Sequence, residues 1–280
     1  MSNLPAPILT AALIFECSLL LAGLAVWLLV ISRPSVRTQP SRLAPWLVSP
    51  SDFLACALAV IGGGYFFQIL GRAAFDPLLK KFSASPDTHT AAYGTAFQFG
   101  LLAGMAGART YLNSRRENAE DSPPRGAAPS LLTSGMMTFL AVLPVVWLTS
   151  IVWNKIIEWL GLPPEPQDLI DVFARAKLSL TSVVLVLLAT VVAPVVEELV
   201  FRAGLFRYLR TRIPRWAALL LPSLFFAAAH ANWASFGPLT MLAIVFSLAY
   251  ERTGRIGTTM IAHALFNLNM ILLVLVGVTA

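Results

Sequence analysis

Long runs of apolar residues without charge are the feature that most constrains this chain. The runs are long enough to supply the roughly 20 residues with which a helix crosses the hydrocarbon core of a bilayer. They are rich in Leu, Val and Ala and lack the alternation of barrel strands, so helices satisfy the backbone hydrogen bonds there. Apolar residues make up 57% of the 280 positions and charged residues 12%, about half the charged share of an average soluble domain. We therefore predict an all-α fold, a polytopic membrane helical bundle.

The charge-free runs predict about eight transmembrane helices. The stretch 216–250 contains no Asp, Glu, Lys or Arg, and we divide it at a turn formed by Asn232, Gly237 and Pro238. The alternative is seven spans with one re-entrant segment. The predicted spans are 8–31, 52–71, 91–108, 131–153, 178–200, 216–231, 238–250 and 258–278.

The positive charges in the loops predict the orientation. Most of the 20 Lys and Arg residues fall in the odd-numbered loops, so the positive-inside rule puts both termini outside. We expect an integral, multi-pass protein of the plasma (inner) membrane. The arginine-rich stretch 202–215 is interpreted as topology-setting charge, and an amphipathic segment on the inner surface is the alternative. Since topology explains the basic balance, no nucleic acid partner is expected.

Two adjacent glutamates interrupt the fifth apolar run. On a helix, Glu198 and Arg202 are i,i+4 neighbours with the acid on the N-terminal side, the favourable order for an ion pair. Glu197 points about 100° away, so one carboxylate can be structural while the other faces a cavity. Ionisable groups inside spans are costly and indicate function by default. The alternative is that these charges only mark the cytoplasmic end of a span.

Two of the three histidines also fall in predicted spans. His230 follows Phe226 by four residues and His263 precedes Asn267 by four, so each pair shares one helical face. Imidazole exchanges protons near neutral pH, and an amide can donate to a developing oxyanion. The third histidine, His89, falls in a predicted loop, where we expect it to be solvated.

The predicted boundaries leave one difficulty. Counting residues puts Glu197 near the cytoplasmic side but His230 about 20 Å deep in its span. Convergence of these groups requires tilt, a broken helix or different boundaries.

Three motifs, in order on successive apolar runs, resemble those of the CPBP family. They are Glu-Glu-x-x-x-Arg, Phe-x-x-x-His and His-x-x-x-Asn. The family comprises CAAX prenyl protease 2 and bacteriocin-processing, Abi-like intramembrane endopeptidases. The resemblance covers about 178–273, which we take as the protease core. The region 1–177 is then a set of N-terminal transmembrane helices that no motif places, and 274–280 is a C-terminal tail.

The resemblance implies an intramembrane endopeptidase that hydrolyses peptide bonds of membrane-associated or prenylated (CAAX-type) substrates. In such a site a glutamate activates a water with the help of one histidine, while a second histidine and an asparagine stabilise the oxyanion. The residues so implied are, in that order, Glu197, His230, His263 and Asn267, with Glu198, Arg202 and Phe226 supporting the site.

No cofactor is expected. Zinc is the alternative, with Glu197, His230 and His263 as ligands and an open position for water, although the chain lacks His-Glu-x-x-His. The expected partners are the lipid bilayer and a membrane-embedded or lipidated peptide or protein substrate. Two other functions stay open: a non-catalytic membrane scaffold or immunity protein of the same fold, and a proton-coupled transporter that uses the same groups.

Overall fold

The computed structural model describes residues 6–115, 130–162 and 179–278. Every regular element in these ranges is a helix, which confirms the predicted fold class. The helices are α1 (Ala6–Val26, continued by a π-helical turn, Trp27–Ile31), α2 (Pro34–Arg37), α3 (Pro50–Lys81), α4 (Pro86–Ser114), α5 (Leu131–Trp159), α6 (Leu180–Leu209), α7 (Arg215–Ala229), α8 (Trp233–Thr253) and α9 (Ile256–Leu275).

Helices occupy the places of all eight predicted spans. Within the described ranges, six of them are long and apolar enough to cross a membrane: α1, α3, α5, α6, α8 and α9. The helix α4 is long enough but less apolar. The helix α7 has only 15 residues, about 22 Å at 1.5 Å per residue, so it falls short of the roughly 30 Å hydrocarbon core. A polytopic helical bundle is confirmed, with six helices that meet both criteria.

The predicted turn between α7 and α8 is shorter than expected. Asn232 caps α8, and its side-chain oxygen accepts a hydrogen bond from the Ser235 backbone N–H at 2.9 Å. Because this cap satisfies a free N–H group at the helix start, α8 begins at Trp233. Gly237 and Pro238 therefore lie inside the helix, and their assignment to the turn is wrong.

The helix α6 is longer than predicted. It continues past residue 200 to Leu209 and contains two π-helical segments, Leu188–Val192 and Glu198–Phe206. Such segments are rare and frequently lie at functional sites. Because α6 continues, Glu197 lies twelve positions before its end, about 18 Å along the axis.

The described helices form two compact units. One unit contains α3, α4 and the part of α6 up to Val196. A Cβ added at Gly100 of α4 would collide with the Gly63 carbonyl group, and one at Gly63 of α3 would lie 2.6 Å from the Gly100 carbonyl oxygen. The two backbones therefore touch at this crossing, as small residues allow in membrane helices.

His89 lies in this first unit, and its assignment to a loop is wrong, although its side chain is only partly buried. It belongs to the first turns of α4, where Tyr93 donates its hydroxyl hydrogen to Asp76. The Tyr93 oxygen is 2.9 Å from His89 Nδ1, which donates to it. A local hydrogen-bonded chain thus accounts for this histidine.

The other unit contains α1, α2, α5, α7, α8, α9 and α6 from Glu197 onward. Its long helices share one apolar core. The helix α1 is tied to α5 by Trp27, whose Nε1 donates to the Ala141 carbonyl oxygen at 2.8 Å. The buried core residues are Phe139, Val142, Leu143, Phe226, Leu242, Ala243, Phe246, Ala262 and Phe266.

Arginines near the α6–α7 turn bind a buried carboxylate of α8. Glu251 is 2% exposed and accepts from Arg210 Nε at 2.6 Å and from Arg215 Nε and Nη2 at 2.9 and 2.7 Å. Its backbone carbonyl accepts from the Arg42 N–H at 2.9 Å. Arg202 is buried inside α6. Three arginines of the stretch 202–215 therefore hold buried acids, a structural role that the charge pattern did not predict.

Candidate active site

Glu198 and Arg202 form a buried ion pair in the second π-helical segment of α6. Arg202 Nη1 lies 2.9 Å from Glu198 Oε1, and the two side chains are 1% and 0% exposed. The sequence spacing predicted this contact. Since an unpaired charge in the interior is costly, each group depends on the other.

His263 of α9 joins this ion pair. Its Nδ1 lies 2.9 Å from Glu198 Oε1, and because a carboxylate only accepts, Nδ1 carries the hydrogen. Its Nε2 lies 3.6 Å from Glu197 Oε2, somewhat beyond hydrogen-bond length. A single buried imidazole thus faces both glutamates.

The two adjacent glutamates have different environments. The Glu198 side chain is 0% exposed, whereas that of Glu197 is 24% exposed. The 100° rotation between successive helical residues produces this difference. Glu198 is enclosed with its cation, while Glu197 reaches accessible space and stays beside His263. Glu197 is therefore the carboxylate of the pair that a water molecule can approach.

His230 directly follows α7 and lies near the same group. Its Nδ1 is 2.8 Å from the Phe226 carbonyl oxygen, which can only accept, so a neutral ring keeps its lone pair on Nε2. The Phe226 ring lies 4.9 Å from the His230 ring and 5.9 Å from the His263 ring. The structure therefore brings both imidazoles, and through His263 the exposed glutamate, into one region.

The corrected helix boundaries remove the difficulty of depth. His230 lies fifteen positions after Arg215, the first residue of α7. This spacing corresponds to about 22 Å along the helix axis from the arginine-rich turn. Glu197 lies about 18 Å from the same turn because α6 continues to Leu209. A helix that ended at residue 200 would have put the two groups at different depths.

Two asparagines of α9 follow His263. Asn267 is half-buried one turn later, and its spacing of four places it on the same helix face as His263. Asn269 donates from Nδ2 to Glu16 Oε2 of α1 at 2.9 Å. The acid within the first apolar helix thus has a polar partner on the helix that carries His263.

The alternative to a metal-free site is a zinc ion bound by Glu197, His230 and His263. Within the ranges that the structure describes, no three His, Cys, Asp or Glu side chains lie together in a way that could hold a metal ion. The Nδ1 atom of His263 contacts Glu198 and that of His230 contacts a carbonyl, so Nε2 is in each ring the nitrogen that a metal ion could bind.

Phe246 of α8 is a site residue that the motifs do not contain. It is 0% exposed, and its ring centroid lies 5.4 Å from the His263 ring and 5.5 Å from Arg202 Cζ. It sits in an uncharged run with other core residues. No residue type or spacing in the sequence distinguishes it from a packing phenylalanine.

Comparisons with known proteins agree with the motifs. Residues 179–269 match the family model described as "Type II CAAX prenyl endopeptidase Rce1-like". Over 83 residues the chain is 29% identical to a protein of Bacillus subtilis (strain 168) named "Putative membrane peptidase YdiL". That alignment covers 30% of this chain and 34% of the relative, so only about a third of the relative's length is spanned. No solved structure matches the chain. The resemblance to the CPBP family of membrane proteases is therefore confirmed.

Proposed function

We propose that this protein is an intramembrane endopeptidase that hydrolyses peptide bonds of membrane-associated or prenylated, CAAX-type proteins with a water activated by glutamate and histidine. The family match over 179–269 supports the reaction class. The observation that carries the residue assignment is the contrast between Glu198, which is fully enclosed, and Glu197, which is accessible beside His263.

In this proposal Glu197 is the general base. A carboxylate within hydrogen-bond reach of a water can take its proton as the water attacks the scissile carbonyl. When the C–N bond of the tetrahedral intermediate breaks, the same carboxyl group gives this proton to the leaving amine. Glu198 is unsuited to this role because Arg202 and His263 occupy it and no solvent reaches it. His230 assists, because Nε2 of its neutral ring can accept a hydrogen bond from the attacking water.

His263 and Asn267 stabilise the oxyanion that forms when water adds. A doubly protonated His263 donates from Nδ1 to Glu198 and keeps the Nε2 hydrogen for the developing negative charge. With that proton the group of Glu197, Glu198, Arg202 and His263 has no net charge, which suits a site of low dielectric. The Asn267 amide, one turn away, adds a donor that does not titrate.

The proposed substrate is a membrane-embedded or lipidated peptide or protein that approaches from the bilayer. Neither a nucleic acid partner nor a cofactor is part of the proposed function. The α6–α7 turn is proposed to lie in the cytoplasm because it is rich in arginine. Both termini are then proposed to lie on the outer side of the membrane.

The test is hydrolysis by the purified protein in liposomes. A panel of quenched fluorescent peptides, prenylated and unprenylated, is offered to the wild type, Glu197→Gln, His230→Gln and the control Glu158→Gln, whose side chain is 72% exposed. We expect Glu197→Gln to lower kcat at least about 100-fold, the usual contribution of a general base, and the control to match the wild type. Prenylated peptides should be cleaved with the higher kcat/KM.

Two results separate the alternatives. Activity that survives a zinc chelator supports the metal-independent mechanism, and activity lost with the chelator and restored by zinc contradicts it. The non-catalytic scaffold is favoured if the purified wild type cleaves none of the peptides and, in cells, Glu197→Gln leaves the phenotype unchanged.

A further inference from the structure

Two phenylalanine rings pack against the Arg202 guanidinium. It is 1% exposed, and apart from the ion pair to Glu198 neither Nη1 nor Nη2 has a well-aligned hydrogen bond within the described chain. A buried group with five N–H donors normally needs several acceptors. Instead, the Phe226 ring centroid lies 4.5 Å and the Phe246 ring centroid 5.5 Å from its Cζ. At these distances the ring faces attract the cation.

The same two rings also hold His263. Its imidazole centroid is 5.4 Å from Phe246 and 5.9 Å from Phe226, while its Nδ1 is bound to Glu198. Rotation of the imidazole about this hydrogen bond would turn Nε2 away from Glu197. Because both ring centroids lie within 6 Å of the imidazole centroid, the rings restrict that rotation.

Each helix near this site contributes a different part. Glu197, Glu198 and Arg202 belong to α6. Phe226 belongs to α7, His230 directly follows that helix, and His263 belongs to α9. The helix α8 adds Phe246, whose side chain cannot titrate. Any effect of Phe246 on the reaction therefore arises through the groups that its ring contacts.

We propose that Phe246 is a positioning residue, whose ring, together with that of Phe226, holds the Arg202 guanidinium and the His263 imidazole so that His263 Nε2 faces Glu197. The activity part of this proposal rests on the proposed hydrolysis, whereas the geometric part does not. Phe139 of α5 provides a matched control, because it belongs to the same buried core and shows no ring contact with either group in the described residues.

The activity test compares Phe246→Leu, Phe246→Tyr and Phe139→Leu. We expect Phe246→Leu to lower kcat about tenfold with KM within about twofold, as loss of a correctly placed group does. Phe246→Tyr keeps the ring face and should return kcat to within about threefold of the wild type. Phe139→Leu should lower the melting temperature about as much as Phe246→Leu but leave kcat unchanged.

A double-mutant cycle identifies the route of the effect. Arg202→Lys keeps the charge but removes the planar guanidinium that rests on the rings. If Phe246 acts through Arg202, the loss of kcat caused by Phe246→Leu is smaller in the Arg202→Lys background than in the wild type. Equal losses in both backgrounds would overturn this route.

A measurement independent of activity keeps the two proposals separate. In protein with ¹⁵N-labelled histidine, the Nδ1–H resonance of His263 is assigned by its loss in His263→Gln. We expect this resonance to shift and to exchange faster with water in Phe246→Leu, but not in Phe139→Leu. An unchanged resonance in Phe246→Leu would overturn the positioning role, while a wild type without peptidase activity would contradict only the proposed function.

Discussion

Replacing Glu198 by alanine should damage stability far more than replacing its neighbour Glu197. Glu198 Oε1 lies 2.9 Å from both Arg202 Nη1 and His263 Nδ1, and the ion pair is shielded from solvent. Glu197 is 24% exposed, and its oxygen lies 3.6 Å from His263 Nε2. Two adjacent residues of the same type thus differ mainly in burial and partners.

The magnitude follows from these contacts. Removing one member of a buried ion pair costs about 3–5 kcal/mol because the other charge is left uncompensated. The lost hydrogen bond from His263 falls within this cost, since contributions in one network are not additive. We therefore expect Glu198→Ala to lower the free energy of unfolding by about 4 kcal/mol. Glu197→Ala should lower it by no more than about 1 kcal/mol, as at partly exposed charges.

The assay is reversible unfolding in mixed micelles with increasing mole fraction of SDS, followed by intrinsic tryptophan fluorescence. Glu158→Ala serves as the control, because Glu158 also lies 3.0 Å from a cation, Lys155, but on the surface. It should not change the midpoint measurably. If Glu198→Ala and Glu197→Ala unfold within about 1 kcal/mol of each other, less than the difference expected from burial, the assignment of a structural and an accessible glutamate is refuted.

Three further predictions concern other parts of the chain. Glu251→Ala should lower the free energy of unfolding by about 1–3 kcal/mol in the same SDS titration, because Arg210 and Arg215 lose their charge-assisted hydrogen bonds but, at 30% and 48% exposure, stay within reach of water. Gly100→Ala should lower the free energy of unfolding by about 1–3 kcal/mol, since the added Cβ meets the α3 backbone at Gly63. The control Gly94→Ala has open space around its Cβ and should be neutral or slightly stabilising. Equal effects of the two variants would contradict the close crossing of α3 and α4. Asn269→Leu should lower the melting temperature because it leaves Glu16 without its hydrogen-bond donor. Glu16→Leu in that background removes the unpaired acid and should restore part of the loss.

The apolar pattern predicted most of the fold. Within the described ranges, uncharged runs located α1 and the helices α3 to α9, because only intrahelical hydrogen bonds satisfy the backbone in hydrocarbon. The predicted span stops at residue 200 because an arginine-rich stretch begins at Arg202, although a buried acid one turn earlier neutralises this arginine inside the helix. The start of α8 was missed because Gly237 and Pro238 are turn residues by composition, while the Asn232 cap decides the boundary.

The motifs predicted most of the candidate site but not its packing. Spacing alone placed Glu198 with Arg202, and Phe226 with His230, because helical neighbours four apart share a face. The contact of His263 with both glutamates joins residues 65 and 66 positions apart in the chain, which no local pattern reports. Phe246 carries no polar group, so only the fold reveals its contact with Arg202.

The most direct test of the central claim is a mass measurement of peptide cleavage in water enriched in ¹⁸O. In one turnover by the wild type in liposomes, we expect one ¹⁸O atom in the new C-terminal carboxylate of the product, because water activated by Glu197 attacks the peptide bond. Glu197→Gln, folded as shown by its SDS midpoint, should yield no labelled product over the same time. Labelled product formed at the wild-type rate by Glu197→Gln would contradict the assignment of Glu197 as the base.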